Sequence, residues 1–161
     1  MNVTFKKYED IYGQAKRIYQ EHEEKILKAL PFVDIQHIGS TAIPNSVTKG
    51  DLDINVRISR EHLDYAIEEL KKFYEINQPE NWTSTFASFK NDNNFDLPVG
   101  VQLTVIDSEY DDFTKLRDIL LKDKKLLEEY NQMKLKYEGK DMDDYRKEKS
   151  EFFEKLRKLL K

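Results

Sequence analysis

The sequence contains no cysteine, so the chain forms no disulfide and has no thiol nucleophile. It has no apolar run of about 18 residues, the length that crosses a membrane, and its start lacks the apolar core of a signal peptide. Its 27 basic residues nearly balance its 31 acidic ones, so the positive field that drives bulk nucleic-acid binding is missing. We therefore expect a soluble cytoplasmic protein with neither membrane nor bulk nucleic-acid partners, and the oligomeric state stays open.

Apolar residues make up 39% of the 161 residues, enough for a single domain with one continuous core, expected to span residues 1–161. Helical spacing of apolar residues fills the chain before Pro31 and again from about 110 to 161. Between about 31 and 107, alternating segments predict strands at 33–38, 51–58, 74–77, 83–90 and 99–106, with a polar turn at 91–94. This order predicts an α+β fold in which a small mixed sheet of about four strands is flanked by helices and followed by a C-terminal helical segment.

Two aspartates lie at alternate positions of the clearest strand pattern. Asp51 and Asp53 share one face, whereas Leu52, Ile54 and Val56 share the other. The two acidic Cα atoms would lie roughly 6.5 to 7 Å apart, so both side chains could reach one divalent cation. The alternative is a solvated strand face that happens to use aspartate. Because aspartate disfavours strands and like charges repel, we favour a metal site, and oxygen ligands favour Mg²⁺ over zinc.

A small-residue turn follows the first predicted strand and precedes the two aspartates. Gly39 and Ser40 could supply backbone N–H groups and a hydroxyl to a phosphate, or could simply form a turn. Ser40 is a weaker candidate for a covalent nucleophile, because no Ser-His-acid set can be assembled. Lys49 could contact a phosphate or form an ordinary salt bridge. His37 fits best as a histidine at the edge of the core with one hydrogen bond.

Three residues outside this region are weaker candidates. Trp82 is the one aromatic residue considered for a contact to a nucleobase, since the tyrosines and phenylalanines mostly fall on helical core faces. Lys134 and Lys149 lie in charge-rich helical segments, where most lysines are solvated, so only their position in space could give them a function.

Six short motifs, in order along nearly the whole chain, resemble the GrpB family within the nucleotidyltransferase superfamily. They are His37-Ile-Gly-Ser-Thr-Ala-Ile-Pro, Lys49-Gly-Asp-Leu-Asp-Ile, Val101-Gln-Leu-Thr-Val, Leu116-Arg-Asp, Tyr130-Asn-Gln-Met-Lys134 and Tyr145-Arg-Lys-Glu-Lys149. By this resemblance, Gly39 and Ser40 match a phosphate-binding turn, and Asp51 and Asp53 match the metal-binding aspartates. The resemblance implies a magnesium-dependent enzyme that transfers a nucleoside monophosphate from a nucleoside triphosphate to an unknown acceptor, with Lys49 as a phosphate contact.

The chain departs from the superfamily pattern at the third carboxylate. Active members usually bring this acid from a neighbouring strand, where this chain has Gln102 and Thr104. An amide oxygen can ligate magnesium but adds no negative charge. Asp96 and Asp107 are the candidates for a replacement acid. The alternative function is a catalytically silent nucleotide-binding module, or a protein-interaction module built on the C-terminal helices.

Overall fold

The computed structural model describes residues 1–92 and 96–161. The helices are α1 (Tyr8–Ala29), α2 (Leu63–Leu70), α3 (Phe113–Lys122), α4 (Lys124–Lys136) and α5 (Met142–Lys158). The strands are β1 (Lys6–Lys7), β2 (Asp34–Ile38), β3 (Val47–Thr48), β4 (Leu52–Ile58), β5 (Glu75–Ile76), β6 (Phe86–Asn91) and β7 (Val99–Val105). Of the turn predicted at 91–94, Asn91 ends β6 instead, and residues 93 and 94 lie outside the described residues. Strand β6 begins three residues later than predicted because Thr83 and Thr85 form a tight turn before it.

Five strands form one mixed sheet in the order β2-β4-β7-β6-β5, and β1 pairs separately with β3. The central strands β4 and β7 run parallel, whereas β2, β6 and β5 join by antiparallel pairing. The α+β class with a small mixed sheet flanked by helices is therefore confirmed, with five strands where about four were expected. The two-residue β5 lies within the strand predicted at 74–77. In the register of the central pair, Asp53 lies opposite Gly100 and Asn55 lies opposite Gln102.

One face of the sheet packs against α1 and α2 and forms the larger core. Leu52, Ile54 and Val56 of β4 and Val101 and Leu103 of β7 are fully buried there. The two helices contribute further core members, among them Ala15, Ile18, Ile26, Ala66 and Leu70. The alternation that predicted β4 is thus set by burial of every second side chain.

The opposite face of the sheet, which carries Asp53, Asn55 and Arg57, is covered by α3, α4 and α5. Asn55 has 0% exposure, and Arg57 forms ion pairs with Asp34 and Asp111. The three helices share a second apolar cluster, containing Leu116, Leu120, Leu127, Tyr130, Phe152 and Leu156. The C-terminal helices therefore cover the face of β4 that carries Asp53, whereas Asp51 precedes the strand and remains partly exposed.

Strand β2 is an edge of the sheet, and side chains from both faces reach its backbone. The Tyr19 hydroxyl of α1 donates to Glu23 at 3.0 Å and lies 3.4 Å from the carbonyl of Ile35, and Arg117 of α3 donates to the carbonyl of His37 at 3.0 Å. Within residues 1–92 and 96–161, none of the helices has the length and apolar character that a membrane crossing requires.

Candidate functional site

A cleft of about 450 Å³ opens between the sheet and the C-terminal helices. Its sheet side is formed by the turn after β2, the segment before β4 and the beginning of β4. Gly39, Ser40, Lys49, Asp51 and Asp53 all line it, so the five residues singled out in the sequence come together in space. Its other wall consists of side chains from α3, α4 and α5.

Asp53 sits in a niche that two glycines create. A Cβ atom at Gly39 would lie 2.6 Å from Oδ2 of Asp53, and a Cβ atom at Gly100 would lie 3.0 Å from Oδ1. Gly39 also has a φ of +77°, in the left-handed region that L side chains rarely adopt. The carboxylate is therefore enclosed from both sides by backbone, in a space that any larger residue would fill.

The niche changes the acidity of Asp53. Loss of solvation by burial raises the pKa of Asp53 to about 6; the positive charges of Lys149 and Lys49 act in the opposite direction, and the negative charge of Asp51 adds to the rise. The ionised carboxylate is therefore held at a cost in free energy, which a bound cation would relieve.

Asp51, by contrast, already has a cationic partner. Nζ of Lys49 lies 3.1 Å from Oδ2 of Asp51, and both side chains remain partly exposed at the mouth of the cleft. Ion pairs of this partly solvated kind contribute little stability and rearrange at small cost. Lys49 can therefore exchange its carboxylate partner for a phosphate oxygen without leaving the cleft.

The Gly39–Ser40 turn is joined to the segment that leads to the aspartates. Residues Ser40–Ala42 form a short 3₁₀ turn, and the Ser40 hydroxyl donates to the hydroxyl oxygen of Thr48 at 2.7 Å. The Ser46 hydroxyl donates to the Ser40 carbonyl at 2.6 Å, and the Gly50 N–H donates to the same Thr48 oxygen. Turn and acid-bearing segment therefore move as one unit.

Helix α4 fixes this segment from the other side. Asn131 accepts a hydrogen bond from the Val47 N–H at 3.0 Å and donates to the Asn45 carbonyl at 2.9 Å. Nζ of Lys134 donates to the Val47 carbonyl at 2.6 Å and lies 3.9 Å from the centre of the Tyr130 ring. These three bonds hold Asn45 and Val47 in place by their backbone groups.

Lys134 is not the solvated lysine that its charge-rich surroundings suggested. Its exposure is 1%, and burial, together with the positive charges of Lys149 and Lys49, lowers its pKa well below the ordinary lysine value. The position of Lys134 could not be found from the local sequence, because its backbone partner lies 87 residues away.

The helical wall of the cleft is basic. Lys149 of α5 exerts the largest charge effect on Asp53, and within the described residues it forms no ion pair of its own. Arg146, one turn earlier, forms one ion pair among the described residues, with the exposed Asp143 at 3.8 Å. Tyr130 and Tyr145 fill the space behind them, where burial raises the pKa of both phenols. Asp51 and Asp53 thus lie across the cleft from a helical wall that carries two basic side chains, Lys149 and Arg146.

Within residues 1–92 and 96–161, no third acid lines the cleft beside Asp51 and Asp53. In the part of the chain that the structure describes, no group of three His, Cys, Asp or Glu side chains could hold a metal ion. Gln102 lines the cleft beside Asp53. Asp96 is engaged by Gln14 and Arg17, and Asp107 follows the far end of β7, roughly 20 Å along the strand from Gly100. Neither Asp96 nor Asp107 lines the cleft, so both are wrong as replacement acids.

Two other sequence candidates also lie elsewhere or have other partners. Trp82 is wrong as a contact to a nucleobase in this cleft, because it packs against Phe89 in the core on the α1 and α2 side and donates to the Asn77 carbonyl. His37 makes one side-chain hydrogen bond, to Thr41 at 2.9 Å, and stacks on Tyr19. Burial, followed by the charge of Arg117, lowers the pKa of His37 to about 4, so it is neutral at physiological pH.

Comparison with known proteins identifies the family of this chain. The crystal structure of the Cid1 poly(U) polymerase with MgGTP bound is similar in fold, with a TM-score of 0.50 and 14% identity over 73% of this chain and 39% of that one. The crystal structure of the conserved protein GrpB from Enterococcus faecalis has a TM-score of 0.74 and 20% identity, and covers 98% of this chain and 99% of that one. A UPF0157 protein of Vibrio cholerae serotype O1 is 32% identical over 155 residues, which is 96% of this chain and 82% of the relative. Residues 4–158 match the family described as GrpB protein. The chain therefore belongs to the GrpB family and has a fold similar to that of a nucleotidyltransferase.

Proposed function

We propose that this chain is a magnesium-dependent nucleotidyltransferase, which transfers a nucleoside monophosphate from a nucleoside triphosphate to an acceptor. The observation that carries the proposal is the placement of Asp53 in its glycine niche, beside Asp51, opposite the cations of α5. A carboxylate with a raised pKa in a cleft is the kind of group that functional sites maintain at a cost in stability. The fold similarity to a polymerase solved with MgGTP adds support.

The residues present fit one Mg²⁺ ion that arrives with its substrate. Mg²⁺ usually takes one or two protein carboxylates and completes its octahedral shell with water and phosphate oxygens. Asp51 and Asp53 would supply the two carboxylates, and the amide oxygen of Gln102 is available beside them. When bound, the ion would neutralise charge on the phosphates and polarise the phosphorus under attack. With only two acids, the set favours one protein-held ion over two.

The neighbouring residues would bind and orient the phosphates. Lys149 and Arg146 face the aspartates across the cleft, so a triphosphate between the two walls meets positive charge on one side and the metal on the other. The turn at Gly39 and Ser40 would hold a phosphate oxygen by backbone N–H groups, and Lys49 would exchange Asp51 for another. In the transfer, the oxygen of an acceptor hydroxyl bonds to the α-phosphorus, the bond from the α-phosphorus to the oxygen bridging to the β-phosphate breaks, pyrophosphate leaves and the hydroxyl proton passes to solvent.

Nucleotide binding to charge-neutral variants tests this proposal. The double variant Asp51→Asn/Asp53→Asn should lose magnesium-dependent nucleoside triphosphate binding by at least about tenfold, which corresponds to 1.4 kcal/mol, in calorimetric titrations. The control Asp64→Asn/Glu80→Gln removes the same two charges from exposed positions outside the cleft and should bind as the wild type does. Equal affinities in the three proteins would contradict the proposed metal site.

A catalytically silent nucleotide-binding module is the second candidate, and the position of Gln102 favours it. An amide cannot take the proton of the attacking acceptor, and within residues 1–92 and 96–161 no third acid lines the cleft to serve as that base. Incubation of the wild type with labelled nucleoside triphosphates and a broad panel of acceptors separates the two candidates. Pyrophosphate release that the double variant lacks supports the enzyme; tight binding without release supports the silent module.

The interaction module on the C-terminal helices gains no specific support, because α3–α5 cover the sheet.

A further inference from the structure

Beyond the aspartates, the cleft is lined by apolar side chains. Ile43, Leu116 and Leu120 are buried members of the cluster that α3–α5 share, and all three line the cleft. Phe113 and Phe153 are half-buried and also line it, so parts of both rings face the open space. Tyr130 holds the Phe153 ring in an edge-to-face contact at 5.3 Å. One cleft thus combines a charged end with an aromatic end.

Helix α5 gives the distance between the two ends. Lys149 faces Asp53, Phe153 lies one turn further along the helix and Arg157 lies a turn beyond that, all lining the cleft. At 1.5 Å per residue, Phe153 lies about 6 Å and Arg157 about 12 Å along the axis from Lys149. A nucleotide whose phosphates lie between Lys149 and Asp53 would therefore have space to extend its base towards Phe153.

The aromatic end offers few free groups that could distinguish one base from another. Arg157 donates to Asp112 and Glu154, and Arg117 donates to Asp118, Gln36 and the His37 carbonyl. Nε and Nη1 of both guanidinium groups therefore already have acceptors. The Ser150 hydroxyl also lines the cleft, and a hydroxyl can donate or accept, so it suits any base edge.

We propose that this aromatic end is a base subsite that holds the nucleobase by stacking and apolar contact, with Phe153 as its main contact, and that it accepts all four ribonucleoside triphosphates. The inference rests on the proposed function, because it needs the phosphates at the charged end. Stacking on an aromatic ring tolerates any base, since every base has a π-face. A site with few hydrogen-bonding groups free to contact the ligand discriminates weakly between ligands of similar shape.

Two substitutions of Phe153 distinguish the contribution of its aromatic ring to nucleotide affinity from that of its apolar volume. Phe153→Leu keeps apolar bulk against Tyr130 but removes the ring, so affinity for MgATP should fall about tenfold. Phe153→Tyr keeps the ring and should bind within about twofold of the wild type. Magnesium tripolyphosphate, which has no base, should bind all three proteins equally. In the wild type, the affinities for ATP, GTP, CTP and UTP should agree within about tenfold.

Calorimetric titration of the three folded proteins with these ligands gives outcomes that support or overturn the inference. Loss of ATP affinity in Phe153→Leu with unchanged tripolyphosphate binding supports it. Unchanged ATP affinity in that variant overturns it, as does an equal loss for both ligands, which indicates a general disturbance of the cleft. A hundredfold preference for one base overturns the lack of selectivity. Failure of the wild type to bind either ligand overturns the proposed function as well, so the two failures are distinguishable.

Discussion

The free protein should become more stable at neutral pH when Asp53 is replaced by asparagine. Burial raises the pKa of Asp53 to about 6, whereas the ordinary value is 3.8. Between about pH 4 and pH 6 the folded chain therefore binds more protons than the unfolded chain, so this group lowers the free energy of unfolding as the pH rises. The full cost is present above about pH 6, where the carboxylate is ionised in both states.

The size of the effect follows from the difference between the two pKa values. At 1.36 kcal/mol per pH unit, the ionised carboxylate destabilises the fold by about 3 kcal/mol above pH 6, to within about 1.5 kcal/mol. The Asp53→Asn variant avoids this cost but must find hydrogen bonds for the new amide, so we expect about 2 kcal/mol of net stabilisation. For a chain of this size, that corresponds to an increase of roughly 4 to 8 °C in Tm.

Scanning calorimetry at pH 7.5 and pH 4 checks both the sign and the cause. Asp53→Asn should raise Tm at pH 7.5 and leave it nearly unchanged at pH 4, where Asp53 is already neutral. The exposed Asp64→Asn serves as the control and should change the stability by less than about 0.5 kcal/mol at both pH values. A variant that is less stable than the wild type at pH 7.5 would refute the reasoning, because the niche would then favour the charged form.

Three further predictions address the same cleft. The affinity for the magnesium-nucleotide complex should rise up to about tenfold per pH unit between pH 5 and 6 and level off above pH 7, because Asp53 must lose its proton to bind a metal. An affinity that does not change with pH would contradict this. Gly100→Ala should lower nucleotide affinity at least fivefold with little loss of helical circular dichroism, because its Cβ would press on the Asp53 carboxylate; unchanged affinity would show that the niche tolerates a methyl group. Asn131→Ala should expose the Val47 N–H to rapid hydrogen exchange and weaken nucleotide binding about fivefold; normal protection would mean that α4 does not hold this segment.

The parts of the fold that the sequence predicts well are those governed by neighbouring residues. Strand β4 follows from the alternation of Leu52, Ile54 and Val56, and α1 ends at Ala29 because Pro31 cannot continue a helix. The convergence of Gly39 and Asp53 follows less directly, from the order of turn and strand together with the family resemblance. Gly100 carried a usable signal, since a glycine inside a strand often marks a close approach by another group.

The helical wall could not be predicted, because it depends on contacts between distant parts of the chain. Asn131 and Lys134 bind backbone groups 84 to 87 residues earlier, and no local pattern encodes such a pairing. The buried residues of helix α5 are Tyr145, Phe152 and Leu156. Lys149 and Phe153, on an adjacent part of the helix surface, line the cleft. Only the packing of α5 against α3 and α4 decides which part of its surface faces the aspartates.

The protected edge of β2 has a consequence for association between copies of this chain. An exposed edge strand is a template on which another strand can add. Here the carbonyl of His37 already accepts from Arg117, and the Tyr19 hydroxyl lies 3.4 Å from the carbonyl of Ile35 on the opposite face. A second strand that paired with these two carbonyls would have to displace a guanidinium and a phenol, so these two side chains oppose extension of the sheet at this edge.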